Sequence, residues 1–136
     1  MNGKKYLQTI QKIDRKIENK KLEIEALYSM IEKSTSTLKE VNIQATIDNN
    51  KNVVMLAKLI DEKNELVYEL NEFLNVKLQA IKKINSLDND EYVNILMRRY
   101  ILYQDWVDIA AAMNYTRQTI NIKHGKALLE FEKLFT

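Results

Sequence analysis

Apolar residues recur along residues 4–33 with the period of an α-helix. They are spaced alternately by three and four positions, which places them on one face of a helix in a heptad-like stripe. Lys20 occupies one position where the pattern expects an apolar residue. The stripe otherwise consists of Tyr6, Ile10, Ile13, Ile17, Ile24, Leu27 and Ile31.

The helical period is lost in residues 34–50 and returns in residues 51–85. The first of these segments is rich in Ser, Thr, Asp and Asn, which predicts a loop. In the second, one apolar stripe is flanked by another, so this helix is expected to bury a broad face. The main stripe comprises Val53, Leu56, Ile60, Val67, Leu70, Leu74, Ile81 and Ile84, and the flanking stripe comprises Leu59, Leu66 and Phe73.

Neither long helix can bury its apolar stripe alone. The two are therefore predicted to form an antiparallel, coiled-coil-like helical hairpin over residues 1–86. A second copy of the chain can complete it, so the hairpin is expected to serve homodimerisation or binding of a partner.

Three shorter helices are predicted in residues 87–136, which completes an all-α fold. Asp88, with Glu91 three residues later, fits the N-cap of a helix over about residues 89–102. Gln104 and Asp105 can start the fourth helix.

The fourth and fifth helices are predicted to meet at a tight turn. Asn114 ends the fourth helix, because asparagine tolerates the left-handed backbone conformation. Thr116 is an N-cap for a fifth helix that runs to about residue 134. Ala110 allows the two helices to approach closely, and Met113 and Ile120 fill the angle between them. Two short helices joined by about three residues describe a helix-turn-helix.

The second helix of such a motif enters the major groove of DNA by its N-terminal end. Gln118 and Asn121 can each pair with adenine, Arg117 can pair with guanine, and Ile122 can touch a thymine methyl group. Lysines there suit contacts to phosphate. The candidate DNA-binding residues are Thr116, Arg117, Gln118, Thr119, Asn121, Ile122, Lys123 and Lys126.

Two other residues of this module are expected to have structural roles. His124 shares the inner stripe of the fifth helix with Ile120 and Leu128, so a packed and hydrogen-bonded ring is predicted rather than a metal ligand or a catalytic base. Trp106 is expected to lie in the core.

The composition limits the possible chemistry. There is no cysteine, one histidine, no proline and two glycines, which excludes a disulfide framework, a thiolate nucleophile and a glycine-rich phosphate loop. No cofactor, no metal and no enzymatic activity are expected. The longest apolar runs have five residues, whereas a membrane span needs roughly 20, so a cytoplasmic location is predicted.

The charge of the chain is nearly balanced, with 21 Lys and Arg against 19 Asp and Glu. From Asp88 onward there are six basic and seven acidic residues. Because phosphate neutralisation dominates non-specific DNA affinity, a module with this balance is expected to need dimerisation or a partner for tight binding.

Residues 96–131 resemble a known family. Three segments share its pattern: Leu96-Met-Arg-Arg-Tyr100, the segment from Trp106 to Arg117, and His124-Gly-Lys-Ala-Leu128. The family comprises small regulators from phages and prophages of low-GC Gram-positive bacteria, whose C-terminal half is similar to region four of sigma factors. The resemblance implies a duplex-DNA-binding transcriptional regulator of the late-gene type that acts in the cytoplasm of a bacterial host cell. An extension of the resemblance is a contact with host RNA polymerase.

Two other functions fit the sequence. A phage terminase small subunit also combines a helix-turn-helix with helical oligomerisation elements, and it marks DNA for packaging. A helical interaction or inhibitor protein that does not bind DNA would have the same architecture.

Overall fold

The computed structural model describes the backbone of residues 2–40 and 46–135, and the side chains of residues 2–36 and 51–135. These residues form helices and no strand, which confirms the all-α prediction. The α-helices are α1 (Gly3–Glu40), α2 (Thr46–Asn85), α3 (Asp90–Leu96), α4 (Trp106–Met113) and α5 (Arg117–Glu132).

The prediction of a loop over residues 34–50 is wrong at both ends of that segment. Helix α1 continues to Glu40, and α2 begins at Thr46. The Thr35 hydroxyl donates a hydrogen bond to the Ile31 carbonyl oxygen at 2.9 Å. Its polar group is thus satisfied within the helix instead of forming a cap. The middle of the predicted loop, residues 41–45, lies outside the described residues.

The chain divides into two compact units. One contains Met1–Arg15 together with Asn75–Thr136, and the other contains Lys16–Leu74. The compact unit with the C-terminal helices therefore includes the first turns of α1 and the last turns of α2, which lie outside the segment 87–136 that the sequence suggested.

Within the unit Lys16–Leu74, α1 and α2 run antiparallel. Lys20 Nζ lies 2.6 Å from Glu69 Oε2, and Lys63 Nζ lies 4.7 Å from the centroid of the Tyr28 ring. The Lys20–Glu69 pair explains why the α1 stripe is interrupted, because the lysine at that position has a carboxylate partner on the other helix.

The buried side of α2 differs in part from the predicted one, and the residues of the predicted main stripe that are buried or half-buried are Leu56, Val67, Leu70, Ile81 and Ile84. Val53, Ile60 and Leu74 of the predicted main stripe are 53%, 39% and 44% exposed. The predicted flanking residue Leu59 is instead 7% exposed. Six buried or half-buried positions alternate by three and four along the helix. We call them the α1-facing stripe, which comprises Leu56, Leu59, Lys63, Leu66, Leu70 and Phe73.

The other unit is built around one apolar cluster. Its side chains come from the start of α1, the end of α2, and the helices after residue 90. Tyr6 extends the cluster, with its ring centroid 5.9 Å from that of Phe131. The cluster comprises Leu7, Ile10, Ala80, Ile84, Leu96, Tyr100, Ile101, Ala127 and Phe131.

The third helix begins one residue later than predicted, and its helical backbone ends at Ile101, close to the predicted residue 102. Its N-cap is Asn89 instead of Asp88, and the Asn89 side chain accepts hydrogen bonds from the backbone N–H groups of Glu91 and Tyr92. The α-helical hydrogen-bond pattern ends at Leu96, and the helix continues as a π-helical segment, Met97–Ile101. The wider turn of a π-helical segment accommodates an extra residue without ending the helix.

The two glycines are predicted to respond oppositely to alanine. A Cβ at Gly3 would lie 2.8 Å from Glu132 Cγ and 3.1 Å from Phe131 Cδ1, whereas a Cβ at Gly125 would meet nothing within 4 Å. Gly3→Ala should lower the free energy of unfolding by about 1–3 kcal/mol through overpacking. Gly125→Ala should raise it by roughly 0.5–1 kcal/mol, because glycine is a poor residue within a helix.

Urea unfolding of both variants measures these changes, and each glycine serves as the control for the other. Equal stability of Gly3→Ala and the unmodified chain would contradict the close packing of Gly3 against α5.

Candidate nucleic-acid interface

A tight turn of three residues joins α4 to α5. Asn114 ends α4 in the left-handed conformation, with φ 59° and ψ 38°. The N–H of Tyr115 donates to the Ala110 carbonyl oxygen at 3.0 Å. Thr116 Oγ1 then accepts a hydrogen bond from the N–H of Thr119 at 3.1 Å, which caps α5. These geometries confirm the predicted roles of Asn114 and Thr116.

The angle between α4 and α5 is filled by apolar side chains. Ile109 and Ile120 are fully buried, and Ala110 is 6% exposed. Ile95 of α3 completes this second cluster, and Trp106, Met113 and Tyr115 pack against it. The direction of α5 is therefore fixed by contacts to both α3 and α4, and Ile95 is the contribution that the sequence did not reveal.

The first turns of α5 present three exposed polar side chains and one exposed apolar side chain. We call this set the candidate reading face, and it comprises Arg117, Gln118, Asn121 and Ile122. Ile122 is 56% exposed. Arg117 Nε donates to Asn121 Oδ1 at 3.4 Å, so two of the predicted base-contacting side chains meet on one side of the helix.

The two threonines of the predicted site form hydrogen bonds with each other in the first turn of α5. The Thr116 hydroxyl donates to Thr119 Oγ1 at 2.9 Å while it caps the helix. Thr119 is half-buried. Both side chains therefore help to start α5. Their contribution to the candidate interface is to position the backbone at the N-terminus of this helix.

The Trp106 ring contacts Arg117 of the candidate reading face. The guanidinium of Arg117 lies 5.6 Å from the Trp106 ring centroid, and that of Arg99 lies 4.7 Å from it. Cation–π contacts of this kind orient an arginine without occupying its hydrogen-bond donors. Trp106 was expected to lie in the core, but it is half-buried and packs against the second cluster, and it also orients Arg117.

His124 is packed and hydrogen-bonded, as predicted. Its Nε2 lies 2.7 Å from the Tyr100 hydroxyl oxygen, and its ring meets the edge of Trp106 with centroids 4.4 Å apart. Burial, together with the positive charges of Lys4 and Arg99, lowers the pKa of His124 to about 4. The ring is thus neutral at pH 7 and adds no charge to the surface.

Lys123 has a carboxylate partner within the protein. Its Nζ lies 2.7 Å from Glu91 Oε2, and the Tyr115 hydroxyl donates to Glu91 Oε1 at 2.6 Å. The hydrogen bond from Lys123, and next that from Tyr115, lowers the pKa of the Glu91 carboxyl. The sequence indicated Glu91 only as a helix-start residue, because nothing in a linear pattern pairs positions 32 apart.

The remaining cation of the predicted site, Lys126, is exposed one turn beyond Ile122. No ion pair joins it to any side chain that the structure describes. Lys126 and Lys123 therefore have different surroundings although both were predicted to contact phosphate.

Other kinds of site are not found in the described part of the chain. No three acidic or histidine side chains there are grouped so that they could hold a metal ion. None of the described helices is both long and apolar enough to cross a membrane.

No protein-family profile matches the chain, and neither does any curated protein or any solved structure.

The stability of the protein is predicted to fall between pH 6.5 and pH 4 because of His124. In this range the unfolded chain binds a proton at His124 that the folded chain does not, since the pKa is about 4 in the folded state against an ordinary 6.5. The free energy of unfolding must therefore decrease as the pH decreases.

The measurement is urea unfolding at several pH values, with His124→Gln as the control that removes the titrating group. The unmodified chain should lose more stability than the variant between pH 6.5 and pH 4. Identical losses would show that the His124 ring titrates alike in the folded and unfolded states.

Proposed function

We propose that this protein is a sequence-specific, duplex-DNA-binding transcriptional regulator that acts by inserting the first turns of α5 into the major groove. The observation that supports this most directly is the candidate reading face. Arginine, glutamine and asparagine side chains there are exposed and lie within about one helical turn of each other. They belong to a helix whose direction is fixed by two packed neighbours. These are the residue types that pair with purine edges in the major groove.

The charges around α5 support an approach to DNA. No acidic residue occurs in the sequence between Asp108 and Glu130. The N-terminus of α5 also directs backbone N–H groups outward, and helix N-termini favour phosphate. The Glu91–Lys123 pair lowers the available positive charge, so a single copy is expected to bind weakly.

The architecture that goes with this function is a helical hairpin joined to a helix-turn-helix module. The segment of residues 1–86 would supply homodimerisation or partner binding, and residues 87–136 would supply DNA binding. The resemblance to phage and prophage regulators adds a bacterial cytoplasm as the location and host RNA polymerase as a partner.

Selection from a random pool of duplex DNA tests the function, followed by fluorescence anisotropy on any enriched sequence over a range of salt concentrations. We expect one enriched motif and a steep loss of affinity with salt. A pool without enrichment, and no anisotropy change at low salt, would overturn the proposal and favour a protein-interaction function.

Removing base-contacting side chains is expected to weaken binding to the selected site. Arg117→Ala, Gln118→Ala and Asn121→Ala should each cost roughly 1–3 kcal/mol of binding free energy. The matched control is Leu129→Ala, since Leu129 is a 63% exposed residue of the same helix outside the candidate reading face. Unchanged affinity of all three variants would eliminate this face as the contact surface.

The two lysines are expected to differ in the salt dependence of DNA binding. Lys126→Ala should reduce the slope of log affinity against log salt by about 0.9, the value for one phosphate contact on duplex DNA. Lys123→Ala should change this slope less, because the ammonium of Lys123 is held by Glu91 at 2.7 Å. Equal reductions would show that Lys123 leaves Glu91 when DNA binds.

A further inference from the structure

Gly125 lies in the middle of α5, where glycine is an unfavourable residue. It is exposed, and the helix Arg117–Glu132 continues for about two turns on each side of it. Within a helix, glycine is less favourable than any other residue except proline, because it loses the most backbone freedom. A glycine at this place therefore lowers the stability of α5 unless it serves another purpose.

The described fold does not require a glycine at position 125. No glycine that the structure describes has a positive φ, so the backbone of Gly125 suits any residue. A Cβ added at Gly125 would lie more than 4 Å from every other helix that the structure describes, whereas a Cβ at Gly3 would press against α5. The missing side chain at Gly125 thus leaves room for something outside the chain.

Gly125 lies on the same side of α5 as the candidate reading face. At 100° per residue, it is about 20° around the helix from Gln118, about 40° from Asn121 and about 60° from Ile122. Side chains of a helix lean toward its N-terminus and cover the preceding turn. A side chain at position 125 would therefore extend over Asn121 and Ile122, and glycine leaves both of them uncovered.

We propose that duplex DNA contacts the bare backbone of α5 at Gly125, so that the contact continues from the candidate reading face as far as Lys126. This inference rests on the proposed DNA-binding function and extends it along the helix. In this arrangement α5 lies lengthwise in the major groove instead of entering only by its first turn. The absent side chain lets Gln118 and Asn121 reach base edges that a bulkier residue would hold away.

The charges and amides around Gly125 favour DNA over a helix of another protein. Lys126 follows Gly125 directly, and it is exposed and forms no ion pair with any side chain that the structure describes. No acidic residue occurs in the sequence between Asp108 and Glu130. In the lengthwise arrangement Lys126 lies at the edge of the groove, where a phosphate group accepts its charge.

Fluorescence anisotropy of the full chain on the selected duplex tests the proposal with side chains of increasing size. Gly125→Ala should weaken DNA binding by about threefold, and Gly125→Gln should weaken it by at least about tenfold, or 1.4 kcal/mol. Urea unfolding of the same proteins excludes a folding defect, because alanine should make the chain more stable while it weakens DNA binding.

The matched control is Ala111→Gln, which enlarges a small and exposed residue of α4 outside the candidate reading face. Its DNA affinity should stay within about twofold of the unmodified chain. An equal loss in Ala111→Gln and Gly125→Gln would overturn the proposal, because the effect would then not depend on position 125.

Combining Gly125→Gln with Asn121→Ala tests whether a side chain at position 125 covers Asn121. If it does, Asn121→Ala should cost much less affinity in the Gly125→Gln protein than in the unmodified chain, since the amide is already held away from the DNA. Fully additive losses would contradict this covering.

The failure of this inference can be distinguished from the failure of the proposed function. Unchanged affinity of both Gly125 variants would overturn the contact at Gly125, while binding by the unmodified chain would still support a DNA-binding protein. If the unmodified chain binds no duplex, both proposals are overturned together.

Discussion

Phe131 is fully buried, and the side chains that enclose it come from the beginning, the middle and the end of the chain. Leu7 and Ile10 belong to α1, whereas Ala80 and Ile84 belong to α2, and all four are completely inaccessible to solvent. Burying one large apolar side chain contributes about 1.5–3 kcal/mol. None of these segments could bury its residues without the others, so the direction of α5 depends on residues more than 100 positions earlier in the sequence.

Polar contacts further restrict helix α5, which this apolar core positions. The Tyr100–His124 hydrogen bond, the cation–π contact of Arg117 with Trp106, and the ion pair of Lys123 with Glu91 each connect α5 to a different neighbour. Their common effect is to restrict the side chains around the candidate reading face. Preorganisation of this kind lowers the entropy lost when a helix binds a rigid surface such as a DNA groove.

Local signals in the sequence predicted the turn between α4 and α5 well. The conformations of Asn114 and the cap by Thr116 depend on their own side chains and on residues within a few positions, so a linear pattern contains the necessary information. The helix start at Asn89 shows the limit of this approach. Asp88 and Asn89 are both residue types that cap helices well, and only the folded backbone conformation determines which of them is the N-cap.

Features that depend on tertiary contacts could not be predicted. Helix α2 has two heptad stripes, and the sequence does not say which one α1 covers, so Leu59 was assigned to the flank and Ile60 to the centre. Residues 34–40 are polar enough for a loop, but their hydroxyl groups can bond within a helix, as Thr35 does. The Glu91–Lys123 pair and the burial of Ile95 require the folded arrangement of α3 against α5.

Amide hydrogen exchange of the full chain, followed by NMR, tests most directly whether the two ends of the hairpin segment and α5 share one core. If they do, the amides of Ile10, Ile84 and Ala127 open with a common free energy, because they belong to one cooperative unit. Full protection at Ala127 with little protection at Ile10 and Ile84 would contradict this shared core, and would show that the helices after residue 90 fold without α1 and α2.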